Sequence, residues 1–548
     1  MQKKNWRKIW FLIHSWLAMP LWALTFFVCL SGTIATIDQE LVWLSQPQVR
    51  ANAPSGDAVR LDFDELLTAI QDQQPQAHVS ALSRPVKSQY ALTATVSYPD
   101  ATTATLYINP YDGAIQGNSA EFDLHGFIRA LHGWLLIPWS SGGSVGWYLV
   151  TIVSLPMLGS LISGMILYRR FWRDYLHPRL RLRHGARVLW GDFHRLAGIW
   201  SLPFILIIAV SGVWLLIEGV LYDFRISYST AGPPAIVARA DVPPGMGEQP
   251  PPTLSPQQAV DAVCRAFPEF KPYRINFPAN AYDLYRISGR SRHYPLVMES
   301  VSVNPYNGEL AQSRRVSDLA WPEVMARSLV SLHMGDFAGL GLKLVYFFFG
   351  LLLSLMVYSG MVLWGKRTWH ETRRVFEQRG YTPAYLGRRW GMHLSGVVVL
   401  LPLLYFAPYM DRIALYRGAA GLGERTIGTL QAGPFILDLA EWQVRPPLPD
   451  GQAGLKKTFT LGLRQEDFPH IKAVYLKVGK PRSIRSAGAL ASGSPYRQFV
   501  RVCVPEHAGP DAVLWLTLET WDGAIHRASL PLQQASPITV AFLEQQRG

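Results

Sequence analysis

Apolar residues are gathered into five runs, which are separated by long stretches of mixed polarity. A helix needs about 20 mostly apolar residues to cross a bilayer, and four of the runs reach that length. The fifth is shorter and contains Pro402 and Pro408. The pattern predicts an α-helical membrane protein with four long spans and a fifth helix. The segments assigned to these spans are 1–37, 144–168, 191–219, 340–364 and 391–410.

Two of the intervening stretches begin with the same helix signal. Asp62 and Ser255 stand at N-cap positions, and Glu65 and Gln258 follow three residues later as capping-box partners. Alternating, strand-like residues come next and end in INPYDGAI and VNPYNGEL, whose Asp-Gly and Asn-Gly pairs are typical of tight hairpin turns. We expect each stretch to form a small α+β domain followed by a histidine-bearing helix. The two predicted domains are 38–143 and 220–339.

The residues after the fifth run have the period of β-strands. Stretches such as KTFTLGL, AVYLKVG, QFVRVCV and AVLWLTLETWDGAI alternate apolar and polar positions. This period is typical of half-buried strands. We therefore predict a C-terminal β-rich domain over residues 411–548.

Basic residues fix the expected orientation in the membrane. The chain carries 52 Lys and Arg against 39 Asp and Glu, a formal net charge of +13. Much of this surplus lies at the N-terminus and in the loops 169–190 and 365–390. Such clusters mark cytoplasmic loops, so the domains 38–143, 220–339 and 411–548 are expected on the opposite side. Because topology explains the charge, membrane lipid is an expected partner and nucleic acid is not.

An internal repeat carries most of the functional information. IHSWLAMPLWALTFFVCLSGTIATID and FHRLAGIWSLPFILIIAVSGVWLLIE align at a constant offset of 180, which matches His14 with His194. ALHGWL and SLHMGD match His132 with His333, and SGMILY matches SGMVLW. Both units start on the same side of the membrane, so they are parallel repeats, which are related by an axis along the membrane normal. Repeat mates that point inward then face each other at one depth.

Two histidine pairs at two depths of a four-helix bundle are the arrangement expected for two bis-histidine haems. Bundle cores hold cofactors on facing helices, and neutral imidazole is a standard ligand of haem iron. The candidate ligands are His14 with His194 and His132 with His333. The alternative reading of a single histidine near a membrane boundary is an interfacial anchor. Recurrence at matched depth favours the ligand reading.

Further residues near these positions are weaker candidates. His125 lies seven residues before His132, but its repeat mate is Ala326. A partial third copy of the repeat, GMHLSGVVVLLP, contains His393. Small residues at 31–32, 163–164, 211–212 and 359–360 would admit a flat macrocycle or a closely packed helix. Three arginines near the candidate ligands would pair with haem propionates or act as interfacial anchors. They are Arg129, Arg195 and Arg327.

The pattern resembles the PepSY-associated transmembrane-helix family, which are iron-regulated inner-membrane proteins of Gram-negative bacteria. The resemblance rests on IHSWLAMPLW, FHRLAGIW, the NPYDG and NPYNG turns, and the LHG and LHM segments, and it covers residues 1 to about 370. It implies PepSY domains in the periplasm, a cytoplasmic N-terminus, a periplasmic C-terminus and two b-type haems on His14, His194, His132 and His333. It further implies reduction of a ferric siderophore or another ferric chelate. The fifth helix and residues 411–548 depart from the family pattern.

The electron donor and the competing functions stay open. The sequence has no Rossmann, Walker or zinc-protease motif, so electrons are expected from quinol or from a separate reductase. The main alternative is a non-redox membrane scaffold or regulator whose outside domains bind a periplasmic partner or peptidase. A transporter is a weaker reading, because mid-membrane carboxylates are lacking. Cys264 and Cys503 both fall outside, where a disulfide is permitted but not favoured.

Overall fold

The computed structural model arranges the chain in two compact units. The helical unit comprises residues 1–45, 122–229 and 320–409, and the β unit comprises 46–121, 230–319 and 410–548. Each unit is therefore assembled from three separate parts of the chain. The structure describes residues 6–18, 21–55, 58–85, 87–119, 123–137, 145–168, 171–224, 226–229, 234–379, 421–450, 454–509 and 511–547.

Helices make up the described part of the helical unit. Three helical segments have the length and apolar character to cross a membrane, and a bent pair of helices would make a fourth span. The predicted fifth span, 391–410, lies outside the described residues. The helices are α1 (Trp6–Ala18), α2 (Trp22–Ala35), α3 (Asp38–Ser45), α5 (Leu124–Trp134), α6 (Val145–Thr151), α7 (Ser154–Leu167), α8 (Phe171–Leu176), α9 (Ala186–Trp200), α10 (Leu202–Asp223), α12 (Trp321–Met334) and α13 (Gly339–Arg379). The three segments able to span are Val145–Leu167, Leu202–Asp223 and Gly339–His370.

The first and third predicted spans are each divided into two helices. Where the sequence predicts a continuous helix in 1–37, the structure has α1 and α2, bent by 65°. Where it predicts one in 191–219, α9 ends at Trp200 and α10 begins at Leu202. Pro203 stands in the first turn of α10, where its missing N–H costs no helical hydrogen bond. As a result, His14 and His194 lie on the short helices that precede α2 and α10.

Helix contacts in this unit occur in matching pairs. α1 packs on α7 as α9 packs on α13, and α2 packs on α5 as α10 packs on α12. Small residues permit the closest approaches: a Cβ added to Gly212 would lie 2.8 Å from Ser154 Cβ, and one added to Gly350 would lie 2.6 Å from Thr33 Oγ1. Close packing of this kind holds helices together in lipid, where the hydrophobic effect between helices is absent.

The two outside stretches form one sheet in the β unit. Eight antiparallel strands run in the order β4-β3-β2-β1-β5-β6-β7-β8, and pairing of β1 with β5 joins the halves, with Leu82 opposite Ile275. The sequence predicted two domains; the structure shows two halves that share a sheet and one apolar core. The strands are β1 (His78–Ser83), β2 (Leu92–Ser97), β3 (Thr103–Ile108), β4 (Ile115–Asn118), β5 (Phe270–Asn276), β6 (Tyr285–Ser291), β7 (Glu299–Val303) and β8 (Leu310–Arg314).

One helix from each half contributes to this core. α4 (Phe63–Gln73) buries Leu66 and Ile70, and α11 (Pro256–Ala266) buries Val260 and Val263. Both predicted capping boxes are confirmed, with Asp62 and Glu65 on α4 and with Ser255 and Gln258 on α11. The predicted turns are also present, because Gly113 and Gly308 have φ of 73° and 76° at the two matching hairpins.

The C-terminal segment is β-rich, as predicted. Its two sheets have the orders β15-β16-β12-β10-β9, with β11 paired to β12, and β14-β13-β17-β18. Leu437, Phe459 and Leu461 of the first sheet and Val474 and Leu516 of the second are buried in one core. The elements are β9 (Arg425–Ala432), β10 (Phe435–Glu441), β11 (Leu448–Pro449), β12 (Leu455–Leu463), β13 (Ile471–Val478), β14 (Ala489–Leu490), β15 (Ser492–Ser494), β16 (Arg497–Val504), β17 (Val513–Thr520), β18 (Ile525–Pro531), α14 (Leu532–Ala535) and α15 (Pro537–Arg547).

Charged contacts join this C-terminal segment to the eight-stranded sheet region. Glu519 accepts hydrogen bonds from Arg239 Nη2 at 2.9 Å and from the Tyr282 hydroxyl at 3.0 Å. Lys472 lies 3.4 Å from the other carboxylate oxygen of Glu519. Burial and the nearby carboxylate raise the pKa of Tyr282. Cys264 and Cys503 are free thiols, so the permitted disulfide is not formed.

Candidate functional site

The helical unit brings the four predicted histidines together as two facing pairs. The basic-end pair is His14 on α1 and His194 on α9; their ring centroids are 6.3 Å apart and their planes are inclined at 79°. The far-end pair is His132 on α5 and His333 on α12, also with 6.3 Å between centroids but with planes inclined at 22°. In each pair one histidine comes from each sequence repeat.

Hydrogen bonds hold both rings of the basic-end pair through Nδ1. His14 Nδ1 lies 3.0 Å from Ser163 Oγ and 3.1 Å from the Ser160 carbonyl. His194 Nδ1 lies 3.0 Å from Ser359 Oγ and 3.0 Å from the Met356 carbonyl. Ser163 and Ser359 are repeat mates. The two histidines therefore occupy equivalent environments, each made by a serine and by the carbonyl three residues before it.

The far-end pair is held by the serines of the other two Ser-Gly sequences. His333 Nδ1 lies 2.9 Å from Ser211 Oγ, and His132 Nδ1 lies 3.3 Å from Ser31 Oγ. All four serines thus contact a histidine of the pairs, a role that the sequence interpretation did not assign to them. Their recurrence in the repeat was the signal that could have revealed it.

The serines also determine which ring nitrogen carries the proton. Ser163 donates its hydroxyl hydrogen to the Gly159 carbonyl at 2.7 Å, and Ser359 donates to Met356 at 2.6 Å. Ser211 donates to Ile207 at 2.6 Å, and Ser31 donates to Val28 at 3.2 Å. In this arrangement each serine oxygen accepts from the imidazole, and Nδ1 carries the hydrogen. At the basic end the Ser160 and Met356 carbonyls, which only accept, require the same. The lone pair of each neutral ring is consequently on Nε2.

Glycines next to these serines make room for the imidazole rings. A Cβ on Gly32 would lie 2.7 Å from His132 Cε1, and a Cβ on Gly360 would lie 3.3 Å from His194 Cε1. The corresponding distance from Gly164 to His14 Cε1 is 3.5 Å. Gly212 faces Ser154 instead. The small residues therefore serve both ring placement and close helix packing.

The spacing of each pair fits one metal ion between two imidazoles. A metal–imidazole bond is roughly 2 Å long and the ring centre lies roughly 1 Å beyond the nitrogen, so two imidazoles on opposite sides of a metal have centres about 6 Å apart. The observed 6.3 Å agrees with this spacing. Among the described residues, no group of three or more His, Cys, Asp or Glu could hold a bare metal ion. Two axial nitrogens with no other protein ligand suit a haem, whose macrocycle supplies the remaining four.

The weaker candidates have other partners. His125 Nδ1 lies 3.0 Å from a carboxylate oxygen of Asp38, a residue that is 3% exposed. His125 lies on α5 with His132, and its contact with a cofactor stays a prediction. His393 lies outside the described residues.

The three arginines proposed for haem propionates all contact nearby side chains. Arg327 pairs with Glu323 at 2.6 Å, and Arg195 pairs with buried Asp192. Arg129 Nη2 lies 3.1 Å from Met334 Sδ. Each arginine lies on a helix that carries one of the paired histidines: Arg195 on α9, Arg129 on α5 and Arg327 on α12. Their pairing with propionates stays a prediction.

A cavity lies between α9 and α13, about two helical turns from His194 and Ser359. It has a volume of about 430 Å³ and is lined by Arg187, Gly365, Lys366, Trp369 and His370. Arg187 precedes His194 by two turns of α9, and Lys366 follows Ser359 by two turns of α13. The two helices that form the cavity are therefore also those that hold His194 in place.

These features define a multi-span membrane protein with paired histidines among its helices and a large β unit. The model of the family described as "PepSY-associated TM region" matches residues 11–367, and the chain belongs to this family. A second family, described as "Uncharacterised conserved protein UCP029505", matches residues 386–533. The chain is also similar to "Uncharacterized protein PA4219" of Pseudomonas aeruginosa, with 36% identity over 70 residues. That match covers 13% of this chain and 17% of the relative.

Proposed function

We propose that this protein carries electrons across the bacterial inner membrane through two b-type haems and reduces a ferric chelate, such as a ferric siderophore, in the periplasm. The observation that carries the proposal is the placement of four histidines. They form two pairs with 6.3 Å between ring centroids, and every Nδ1 is engaged by a serine. Nε2 of each ring is thereby left for a metal.

The architecture proposed with this function is a four-helix bundle built from two parallel repeats. In it, the N-terminus and the basic loops are cytoplasmic, and the β unit and C-terminus are periplasmic. The matching helix contacts in the two halves support a pseudo-twofold relation. The spread of basic residues supports the orientation. The fifth helix, 391–410, would return the chain to the periplasmic side.

Two electron-carrying positions suit the thickness of a membrane. Seventeen residues separate His194 from Ser211, the serine beside His333. At about 1.5 Å per residue this is no more than about 25 Å, against a hydrocarbon core of about 30 Å. A pair near each surface would divide the crossing into short steps.

Each group of residues has a distinct task in this scheme. When bound, haem b supplies a one-electron ferric–ferrous couple. The histidines hold it at two depths, the serines orient the rings, and the apolar helices exclude water. In the periplasm, one electron converts the chelated ferric ion to ferrous iron. Hard oxygen donors hold ferrous iron less tightly, so the chelate releases it.

The donor side of the proposal uses the cavity at the basic end. Arg187, Lys366 and His370 can donate hydrogen bonds there, and Trp369 offers an aromatic face. A quinol head group or the prosthetic group of a separate reductase would approach His194 from this side. The two donors differ in proton release, because oxidation of a quinol to a quinone releases two protons together with two electrons.

The decisive experiment is a difference spectrum of dithionite-reduced minus oxidised purified protein, with haem counted per chain. We expect two b-type haems in the wild type and one in His14→Ala or His194→Ala. His125→Ala is the matched control, because His125 pairs with Asp38, and it should retain both. A single haem in the wild type would mean that one pair is misassigned. A colourless protein, prepared with ample haem supply, would refute the proposal and favour the scaffold or regulator.

A further inference from the structure

The Nδ1 atoms of the four histidines do not have the same number of hydrogen-bond acceptors. At the basic end each faces a serine hydroxyl and a backbone carbonyl, and both contacts are 3.1 Å or shorter. For His132, the hydroxyl of Ser31 lies at 3.3 Å. For His333, the hydroxyl of Ser211 at 2.9 Å is the one acceptor found within the described part of the chain.

The number of acceptors depends on which backbone carbonyls of the neighbouring helix each histidine contacts. In α7 and α13 the carbonyl three residues before the serine turns toward the histidine as well as toward the serine. In α10 the equivalent carbonyl, that of Ile208, accepts from Ser211 at 3.2 Å, and Ile207 accepts at 2.6 Å. Among the described residues, His333 reaches only the serine oxygen. That part of the chain therefore offers no carbonyl to accept from His333 if the hydroxyl is lost.

We propose that Ser211 is the positioning residue of the far-end site: its hydroxyl alone fixes His333 as the Nδ1–H tautomer and aims Nε2 at the iron. This inference rests on the proposed haem function. A ligand imidazole that donates its other N–H is fixed in orientation and is a stronger base. Without the Ser211 hydroxyl, the His333 ring is free to rotate or to carry its proton on Nε2. A protonated Nε2 cannot bind a metal.

The proposal ranks the four serines. Ser211→Ala should weaken the far-end site most, and Ser31→Ala less because its contact with the ring is longer, 3.3 Å against 2.9 Å. Ser163→Ala and Ser359→Ala should have the least effect, since carbonyls remain for His14 and His194. Loss of an orienting partner of this kind typically lowers metal affinity by roughly tenfold to a hundredfold. A less basic imidazole also stabilises the ferric state less, so the midpoint potential of the far-end haem should rise.

The test uses the full-length, haem-loaded protein and compares Ser211→Ala with Ser359→Ala. These serines lie 2.9 Å and 3.0 Å from their histidines, so they are matched in geometry. The measurements are the rate of haem transfer to an excess of apomyoglobin, the two midpoint potentials, and the EPR spectrum of the ferric protein. A His194→Ala background removes the basic-end haem and assigns the remaining signals to the far end.

We expect Ser211→Ala to release its far-end haem roughly ten times faster or more, with a raised potential and an altered EPR signal. The basic-end haem in the same protein should be unchanged, which verifies the fold. Ser211→Cys keeps a weaker acceptor and should fall between the wild type and Ser211→Ala.

Two outcomes would overturn the inference while leaving two haems in place. One is equal change in Ser211→Ala and Ser359→Ala; the other is an unchanged far-end haem in Ser211→Ala. If Ser211→Ala fails to fold, the Ser211→Cys variant decides, because a signal identical to that of the wild type contradicts a role for the hydroxyl. A wild type without haem would refute the proposed function itself.

Discussion

Buried polar groups are treated differently in the two units. In the β unit, Glu441 is fully buried and is bound by Lys457, Arg425 and Ser536. Lys457 completes its own hydrogen bonds with the carbonyls of Gln443 and Arg445. In the helical unit, the four paired histidines use Nδ1 for hydrogen bonds, whereas Nε2 has no hydrogen-bond partner among the described residues. Polar atoms without a protein partner in facing side chains are typical of a ligand site, while full hydrogen bonding is typical of a structural one.

The same contrast separates the histidines from one another. His125 faces Asp38 at 3.0 Å, so its polar contact lies within the protein. His333 lies on the equivalent helix of the other repeat and faces His132 across 6.3 Å. The two residues differ in helix position, because His125 lies in the first turn of α5 and His333 in the last turn of α12. They also differ in partner, a carboxylate for His125 and a serine hydroxyl for His333.

Removal of a ligand should have the largest effect. We expect His333→Ala to lose one of two haems and nearly all ferric-chelate reduction, because the far-end site would keep only one axial nitrogen. Haem counting and a reduction assay check this. Equal loss in the His125→Ala control would show that α5 and α12 tolerate no substitution, and would remove the distinction between the two kinds of histidine.

A methyl group added at a glycine that contacts a histidine ring should have the next largest effect on the haem sites. Gly32→Ala places a Cβ 2.7 Å from His132 Cε1, so the ring must move. Gly164→Ala is the matched control at the other end, where the distance of 3.5 Å to His14 is ordinary contact. We expect a changed EPR signal of the far-end haem in the first variant and an unchanged basic-end signal in the second. The opposite ranking would contradict the ring placement.

In the β unit, breaking the buried ion pair should destabilise the fold and leave the haem spectrum unchanged. Lys457 is 3% exposed. Lys457→Met should reduce the free energy of unfolding by about 3 kcal/mol, the lower end for a broken buried pair, because Arg425 and Ser536 still bind Glu441. The control is Lys456→Met, whose partner Asp450 is 56% exposed; it should cost less than about 1 kcal/mol. Chemical denaturation followed by circular dichroism measures both.

The smallest expected effect is a pH dependence from His78. Burial lowers the pKa of His78, which packs on Phe468, to about 4. Between pH 6.5 and 4 the unfolded chain binds a proton at this position and the folded chain does not, so the free energy of unfolding falls as the pH is lowered. We expect a loss on the order of 1 kcal/mol for this half-buried group. His78→Phe should flatten the slope, and an unchanged slope would exclude His78 as its source.

Much of the fold was readable from local patterns. The capping boxes of α4 and α11 and the turns at Gly113 and Gly308 depend on a few adjacent residues, and all were predicted correctly. The alternation within residues 411–548 likewise predicted strands that the structure contains. These features are set by backbone geometry and by which face of an element is apolar.

Long-range choices were not readable in the same way. The apolar and polar pattern of β1 and β5 does not specify that these two strands pair, because the backbone groups at the edge of a sheet can hydrogen-bond to many strands. The packing of α1 on α7 and of α9 on α13 likewise joins helices that are far apart in the sequence. The sequence identified four serines as small residues only, because the hydrogen-bond partner of a hydroxyl depends on which residue of another helix packs against it. They are Ser31, Ser163, Ser211 and Ser359.

The sequence by itself determined the membrane helices, the duplicated unit and the identity of the four paired histidines, because hydropathy, periodicity and repetition are properties of the chain alone. Tertiary structure decided how close those histidines come, which nitrogen of each is protonated, and which have a second acceptor. These depend on contacts between residues more than 100 positions apart, such as Ser31 with His132 and His333 with Ser211. Such contacts exist only when the helices are packed, and the unequal hydrogen bonding of the two histidine pairs follows from them.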